Sequence, residues 1–162
     1  ITRGSGSYYF SKNVHVWGWA TWRRAWDKYD IEMKTFELFK EQKQIANIIE
    51  DETTCSIWIN NFESVLQGKV DTWDYQWVYS IWANGGLTIL PNVNLVSNIG
   101  FRGDATHTKD KKNRYAHMKV KKLDILIHPD FVLQNKAADE YFFRKTASPV
   151  SLIKNRIIRL LK

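Results

Sequence analysis

Apolar side chains recur along this chain at helical spacing, in blocks separated by glycine and polar stretches. Residues 1–13, with Gly4, Gly6 and three serines, read as a loop. Trp19, Trp22 and Trp26 fall at i, i+3 and i+7, one face of a helix that would begin near Gly18. At that spacing Trp22 and Trp26 read as core. Residues 32–49 carry an irregular helical stripe of Met33, Phe36, Phe39, Ile45, Ile48 and Ile49. Ile57, Trp58, Phe62, Val65 and Leu66 predict a helix over 54–66, stopped by Gly68. Residues 71–82 predict another, with Asp71 as its N-cap, acidic residues in its first turn and Gly85-Gly86 at its end. Leu87-Thr88-Ile89-Leu90-Pro91 reads as a short buried strand ended by proline. Residues 92–117 are polar and loop-like, and a basic run from Lys109 to Lys122 overlaps and follows them. Helices are predicted over 134–145 and, basic and amphipathic, over 150–162. No repeat or low-complexity tract appears.

Composition narrows the class. The chain has 162 residues, 44% hydrophobic and 25% charged, which fits a globular domain or a piece of a larger one. It lacks an apolar run of about 18 residues, so no membrane-spanning helix is expected. The opening Ile1-Thr2-Arg3-Gly4-Ser5-Gly6-Ser7 has neither the apolar core of a signal peptide nor an initiating Met, which points to a piece cut from a longer protein. The single Cys55 excludes an internal disulfide and a multi-cysteine zinc site, and suits a reducing compartment. All eight tryptophans lie between Trp17 and Trp82. Residues 1–100 hold 9 Lys/Arg against 11 Asp/Glu, and residues 101–162 hold 15 against 6. An aromatic, slightly acidic first part thus precedes a basic second part, an asymmetry that suggests an anionic partner.

Three segments combine distinctive residues. They are Trp17-Gly18-Trp19-Ala20-Thr21-Trp22-Arg23-Arg24-Ala25-Trp26, then Trp73-Asp74-Tyr75-Gln76-Trp77, then Asn98-Ile99-Gly100-Phe101 leading to Asp104-Ala105-Thr106-His107-Thr108. In this order they resemble the C-terminal half of bacterial nucleotide-diphospho-sugar transferases of the GT-A superfamily, over roughly residues 8–108. The nearest pattern is the group bearing the W-G-W-A-T-W-R-R-A-W signature.

The resemblance implies an α/β chain, helix-rich with a few short strands. It makes residues 1–133 the acceptor-side, catalytic half of a GT-A-like domain and residues 134–162 a basic helical extension. It implies an inverting glycosyltransferase that moves a sugar from a nucleotide-diphosphate donor to a glycan or lipid-linked acceptor. In such a transfer one carboxylate takes the acceptor's proton. Asp74 matches that base position, with Trp73 offering an apolar face to a sugar ring. The plainer reading is that Asp74 only caps its helix or complements the helix dipole, and Asp71 is the local rival for the base. Amides of Gly18, Trp19 and Ala20 at a helix start would suit a hydroxyl or phosphate. Trp17 and Trp19 serve either as stacking platforms or as core. Arg23 and Arg24 are diphosphate ligands or ordinary surface arginines. His107 stands where a late loop of the family touches the diphosphate or its metal, or is merely structural. His15, His117 and His128 show no ligand spacing.

Family members hold a divalent metal, Mn or Mg, with an Asp-x-Asp-like motif before the Trp signature. Glu50-Asp51-Glu52 follows the signature and reads as a solvated helix terminus. The metal and the nucleotide-sugar site are therefore expected on residues outside this chain, and none is assigned here. A cytoplasmic location is expected, and the basic tail either packs on the domain as a C-terminal helix or contacts the inner membrane face. A Trp-rich carbohydrate-binding module without catalysis is the alternative. Nucleic-acid binding ranks last, because basic and aromatic residues are segregated along the chain.

Overall fold

The structure, a computed structural model, describes residues 3–101 and 115–147. It is an α/β arrangement of five helices, a 3₁₀ turn and a two-stranded sheet among the described residues. In chain order these are β1 (Tyr8–Ser11), α1 (Arg23–Trp26), α2 (Phe36–Glu41), the 3₁₀ turn (Gln44–Asn47), α3 (Glu52–Leu66), α4 (Asp74–Ala83), β2 (Thr88–Pro91) and α5 (Lys136–Ala147). No described helix is long and apolar enough to cross a membrane. The chain forms two compact units that alternate along the sequence. The first comprises Ile1–Phe10, His15–Ala20 and Ile89–Asn135; the second comprises Ser11–Val14, Thr21–Thr88 and Lys136–Lys162.

The second unit has an aromatic core. Phe62 on α3 is fully buried and meets Phe36 of α2 and Tyr79 and Trp82 of α4 edge-on, with centroids 5.7–5.9 Å apart. Edge-to-face contacts of this kind add to the burial gain of each ring. Phe39 and Phe36 meet Tyr79 likewise, and the Tyr79 hydroxyl shares a 2.7 Å hydrogen bond with Thr35. Phe143 of α5 closes the cluster. The buried carboxylate of Asp139, also on α5, accepts from the Ser11 hydroxyl, the Lys12 amide at 2.9 Å and the Asn13 side chain at 3.0 Å. The Trp82 indole donates to the Lys12 carbonyl at 2.8 Å, so Ser11–Asn13 is held from both α4 and α5. Burial lowers the Lys12 ammonium pKa, partly offset by the charge of Asp139.

Helix boundaries follow local chemistry. Asp51 caps α3 by accepting from the Thr54 amide at 2.6 Å, and the Thr54 hydroxyl donates to it at 2.7 Å. Glu50-Asp51-Glu52 therefore begins α3; it does not end the preceding helix. The stripe over 32–49 splits because Met33 and Lys43 adopt positive φ, leaving only α2 and the 3₁₀ turn helical. The helix expected across Trp19–Trp26 shrinks to the four residues of α1. Gly18 turns left-handed at φ +59° and Trp22 is extended, so no helix propagates through residues 18–22. A Cβ on Gly18 would stand 2.7 Å from a Val96 methyl, so only glycine fits that turn. Trp22 and Trp26 are 53% and 42% exposed, which corrects their reading as core.

The first unit relies on polar clamps. Within it Tyr8–Phe10 of β1 pairs with β2 on one side and bridges Gln134 on the other. The Asn92 amide donates to the carbonyls of Arg3 and Gly6 at 2.9 Å, and its oxygen accepts from the Arg3 amide. Asn94 grips the Lys119 carbonyl at 3.0 Å. Ser7 exchanges bonds with the backbone of Ile125 and Ile127. Side chains that satisfy backbone groups in this way replace an extended ladder.

These differences make a stability prediction. Phe62→Ala should cost about 3–5 kcal/mol, the range for removing a buried aromatic ring. Trp22→Ala should cost about 0.5 kcal/mol or less, as a surface change. Urea unfolding of both variants checks this, and equal losses would return Trp22 to the core.

Candidate functional site

The first turn of α4 gathers the polar chemistry nearest the aromatic surface of the second unit. Asp74 is its first residue and is half-buried; Trp73 is the N-cap and is 41% exposed. The N-cap is thus Trp73, and Asp71 lies outside the helix, contrary to the sequence reading. The Thr72 hydroxyl donates to Asp74 Oδ1. That bond orients the carboxylate and leaves Oδ2 for a further donor. A negative group in the first turn also meets the positive end of the α4 dipole.

Aromatic residues surround this turn. The Tyr29 hydroxyl donates to the Trp73 carbonyl at 3.2 Å. The Tyr29 ring stacks on Trp26 at 4.7 Å with an interplanar angle of 15°. Buried Trp77 supports both, with centroids 5.2 Å from Trp26 and 6.0 Å from Tyr29. Burial raises the phenol pKa of Tyr29 and of Tyr75, and the negative charge of Asp74 raises both further. Arg24 lies over the Trp22 ring, 5.1 Å from its centroid.

Trp17, Gly18, Trp19 and Ala20 belong to the first unit, and Trp73 and Asp74 to the second. Within the first unit Trp17 meets the buried ring of Phe101 edge-on at 5.7 Å and Tyr115 at 6.4 Å. The Asn98 side chain accepts from the Gly100 amide at 2.7 Å and so shapes the turn that presents Phe101. The first and third signature segments therefore touch through Trp17 and Phe101. Because α1 begins only at Arg23, the amides of Gly18, Trp19 and Ala20 do not form a helix start. His107, the run 109–114 and the basic tail 150–162 lie outside the described residues. Tyr29 and Thr72 escaped the sequence reading. A hydroxyl two residues before an acid at a helix start was a usable signal for Thr72; Tyr29 reaches α4 only through the tertiary fold.

Among the described residues no group of three or more His, Cys, Asp or Glu could hold a metal ion. The described residues therefore do not supply the ligand set of the divalent metal that the GT-A resemblance implies. Burial raises the Cys55 thiol pKa, and its Sγ donates to the Ile49 carbonyl at 3.2 Å, a structural role. No family model matches the chain, no curated protein matches it, and no solved structure matches it.

The electrostatics give a direct check. In Asp74→Asn the phenols of Tyr29 and Tyr75 should titrate at lower pH than in the parent, because the charge that opposes tyrosinate is gone. Both should stay above the ordinary tyrosine value, because burial persists. Ring-carbon NMR against pH measures this. Unchanged titrations would place the carboxylate away from both rings.

Proposed function

We propose that this chain is the acceptor-side part of a GT-A-type nucleotide-sugar glycosyltransferase, with Asp74 as general base. The observation that carries this is the Asp74 carboxylate, tethered by Thr72 on the first turn of α4 beside an exposed indole. In the proposed step Asp74 Oδ2 accepts the proton of an acceptor hydroxyl. The freed oxygen pair forms the bond to the donor's anomeric carbon as the bond from that carbon to the diphosphate oxygen breaks. The leaving diphosphate takes that electron pair, and attack opposite it inverts the anomeric centre. A fixed carboxylate within hydrogen-bond reach of the attacking oxygen typically contributes a rate factor of about 10²–10⁴.

The donor nucleotide and its Mn or Mg belong, on this proposal, to residues outside this chain. The acceptor is a glycan or a lipid-linked glycan, taken up in the cytoplasm or at the inner membrane face. An exposed Trp73 would serve a non-catalytic carbohydrate-binding module equally well, and the role of Asp74 separates the two. In the full-length protein Asp74→Asn should leave donor binding intact and lower turnover by about 10²–10⁴-fold. Transfer from a UDP- or GDP-sugar measures it, and unchanged turnover would reject the base.

A further inference from the structure

We infer that the loop 129–133 of the first unit is a docking tip that enters the headgroup region of an anionic lipid bilayer. The inference stands apart from the reading of Asp74, since it uses the first unit alone. Two bonded positions beside β1 define the loop. The Ser7 amide donates to the Ile127 carbonyl at 2.8 Å, and the Ile127 amide donates to the Ser7 hydroxyl at 2.9 Å. The Asn135 amide donates to the Phe10 carbonyl at 2.8 Å. From Ser7 to Phe10 an extended chain advances about 10 Å, whereas the path from Ile127 to Asn135 spans about 26 Å when extended. The surplus chain has to leave β1 and return to it. Side chains seat its base. The Tyr8 hydroxyl and His128 Nδ1 share a 2.9 Å hydrogen bond, and their rings meet edge-on at 5.8 Å. Pro129 lies so close to Gly6 that a Cβ there would stand 2.9 Å from the proline ring.

The tip is apolar. Phe131, Val132 and Leu133 are 73%, 70% and 70% exposed. Consecutive side chains point in different directions, so three in a row at this exposure belong to a projection and not to one wall of a packed surface. The first unit exposes thirteen large apolar side chains, and among the described residues Phe101 is its one buried apolar side chain. Exposed apolar surface on this scale marks an interaction site.

Charge selects the partner. The first unit holds nine Lys and Arg against four Asp and Glu, while the second holds fifteen against thirteen. Basic charge thus concentrates on the unit whose apolar side chains are uncovered. Lys119, Lys121 and Lys122 are exposed and interleave with exposed Met118 and Val120. This run is tied to the foot of the loop: Asn94 holds the Lys119 carbonyl and accepts from the Lys121 amide, and the Asn92 amide donates to the Ser7 carbonyl. Of the nearby acids, Asp124 pairs with Lys122 at 3.0 Å, and Asp130 opens the tip. A positive surface that carries exposed apolar groups repels a second copy of itself. It suits an anionic bilayer, which offers phosphates to the lysines and the acyl boundary to Phe131, Val132 and Leu133.

The test floats the full chain with vesicles of phosphatidylcholine alone and of phosphatidylcholine with about 30% phosphatidylglycerol, at about 0.1 M and about 0.5 M NaCl. Binding should need phosphatidylglycerol and weaken about tenfold at the higher salt. Phe131→Ser with Leu133→Ser should weaken it by about tenfold, and so should Lys119→Glu with Lys121→Glu; Asp130→Asn should strengthen it by about fivefold. Unchanged circular dichroism shows that the variants are folded, and amide exchange over 130–133 should slow on the anionic vesicles. No binding to those vesicles, full binding by the serine variant, or binding lost only on charge reversal of Lys154, Arg156 and Arg159 would overturn the tip. A dimer that the serine variant dissociates, without vesicle binding, would assign the tip to a second copy instead. Neither donor nor acceptor is present in this assay, so its failure leaves Asp74 untouched, and unchanged turnover in full-length Asp74→Asn leaves the tip untouched.

Discussion

The packing of α3 against α4 through Phe62, Tyr79 and Trp82 is the constraint on which the second unit depends. Phe62 has no exposed surface and touches rings from two other helices. Interiors this dense allow little sliding, so the contact fixes where α4 runs. Once α4 is fixed, its first turn is fixed too, and with it the carboxylate of Asp74 and the indole of Trp73. Tyr79 extends the constraint: its hydroxyl holds Thr35, at the start of α2. Asp30, whose amide donates to Ser80 of α4 at 3.0 Å, anchors the segment that carries Tyr29 onto the same helix. The candidate site is thus a consequence of core packing one to two turns away.

The two units solve the problem of stability differently. The second buries aromatic surface, the main favourable contribution to folding. The first satisfies its backbone with asparagine and serine side chains and keeps two close approaches at glycine, Gly6 against Pro129 and Gly18 against Val96. That division matches the chain's composition, since most of the aromatic residues lie before Gly85.

Periodicity made α3, α4 and α5 legible to within a few residues, because each is long or bounded by glycine and carries a clear apolar face. The short strand at Pro91 was legible for the same local reasons, but its expected burial was not met: Thr88–Pro91 has no buried residue and Ile89 is 40% exposed. Periodicity misled at Trp19, Trp22 and Trp26, whose spacing suggests a helix face. The left-handed turn at Gly18 and the extended Trp22 interrupt that helix, and two of the indoles remain at the surface. A spacing rule cannot separate an aromatic stripe meant for the core from one left exposed. Asp74 was visible as an acid opening a helix. Thr72, two residues before it, left a local signal, whereas Tyr29 left none, and the polar knot around Asp139 depends on residues about 127 positions apart. Contacts of that range leave no local trace in a sequence.

On the proposed reading, the carboxylate of Asp74 removes the acceptor's proton. Chemical rescue tests it most directly. In the full-length protein, Asp74→Gly opens room for a small carboxylate where the side chain stood. Sugar transfer by that variant should be restored in part by added formate, rising with formate concentration, while the same formate leaves the parent unaffected. Transfer that stays lost at every formate concentration, together with rescue of Asp71→Gly under the same conditions, would rule out Asp74 and move the base to Asp71.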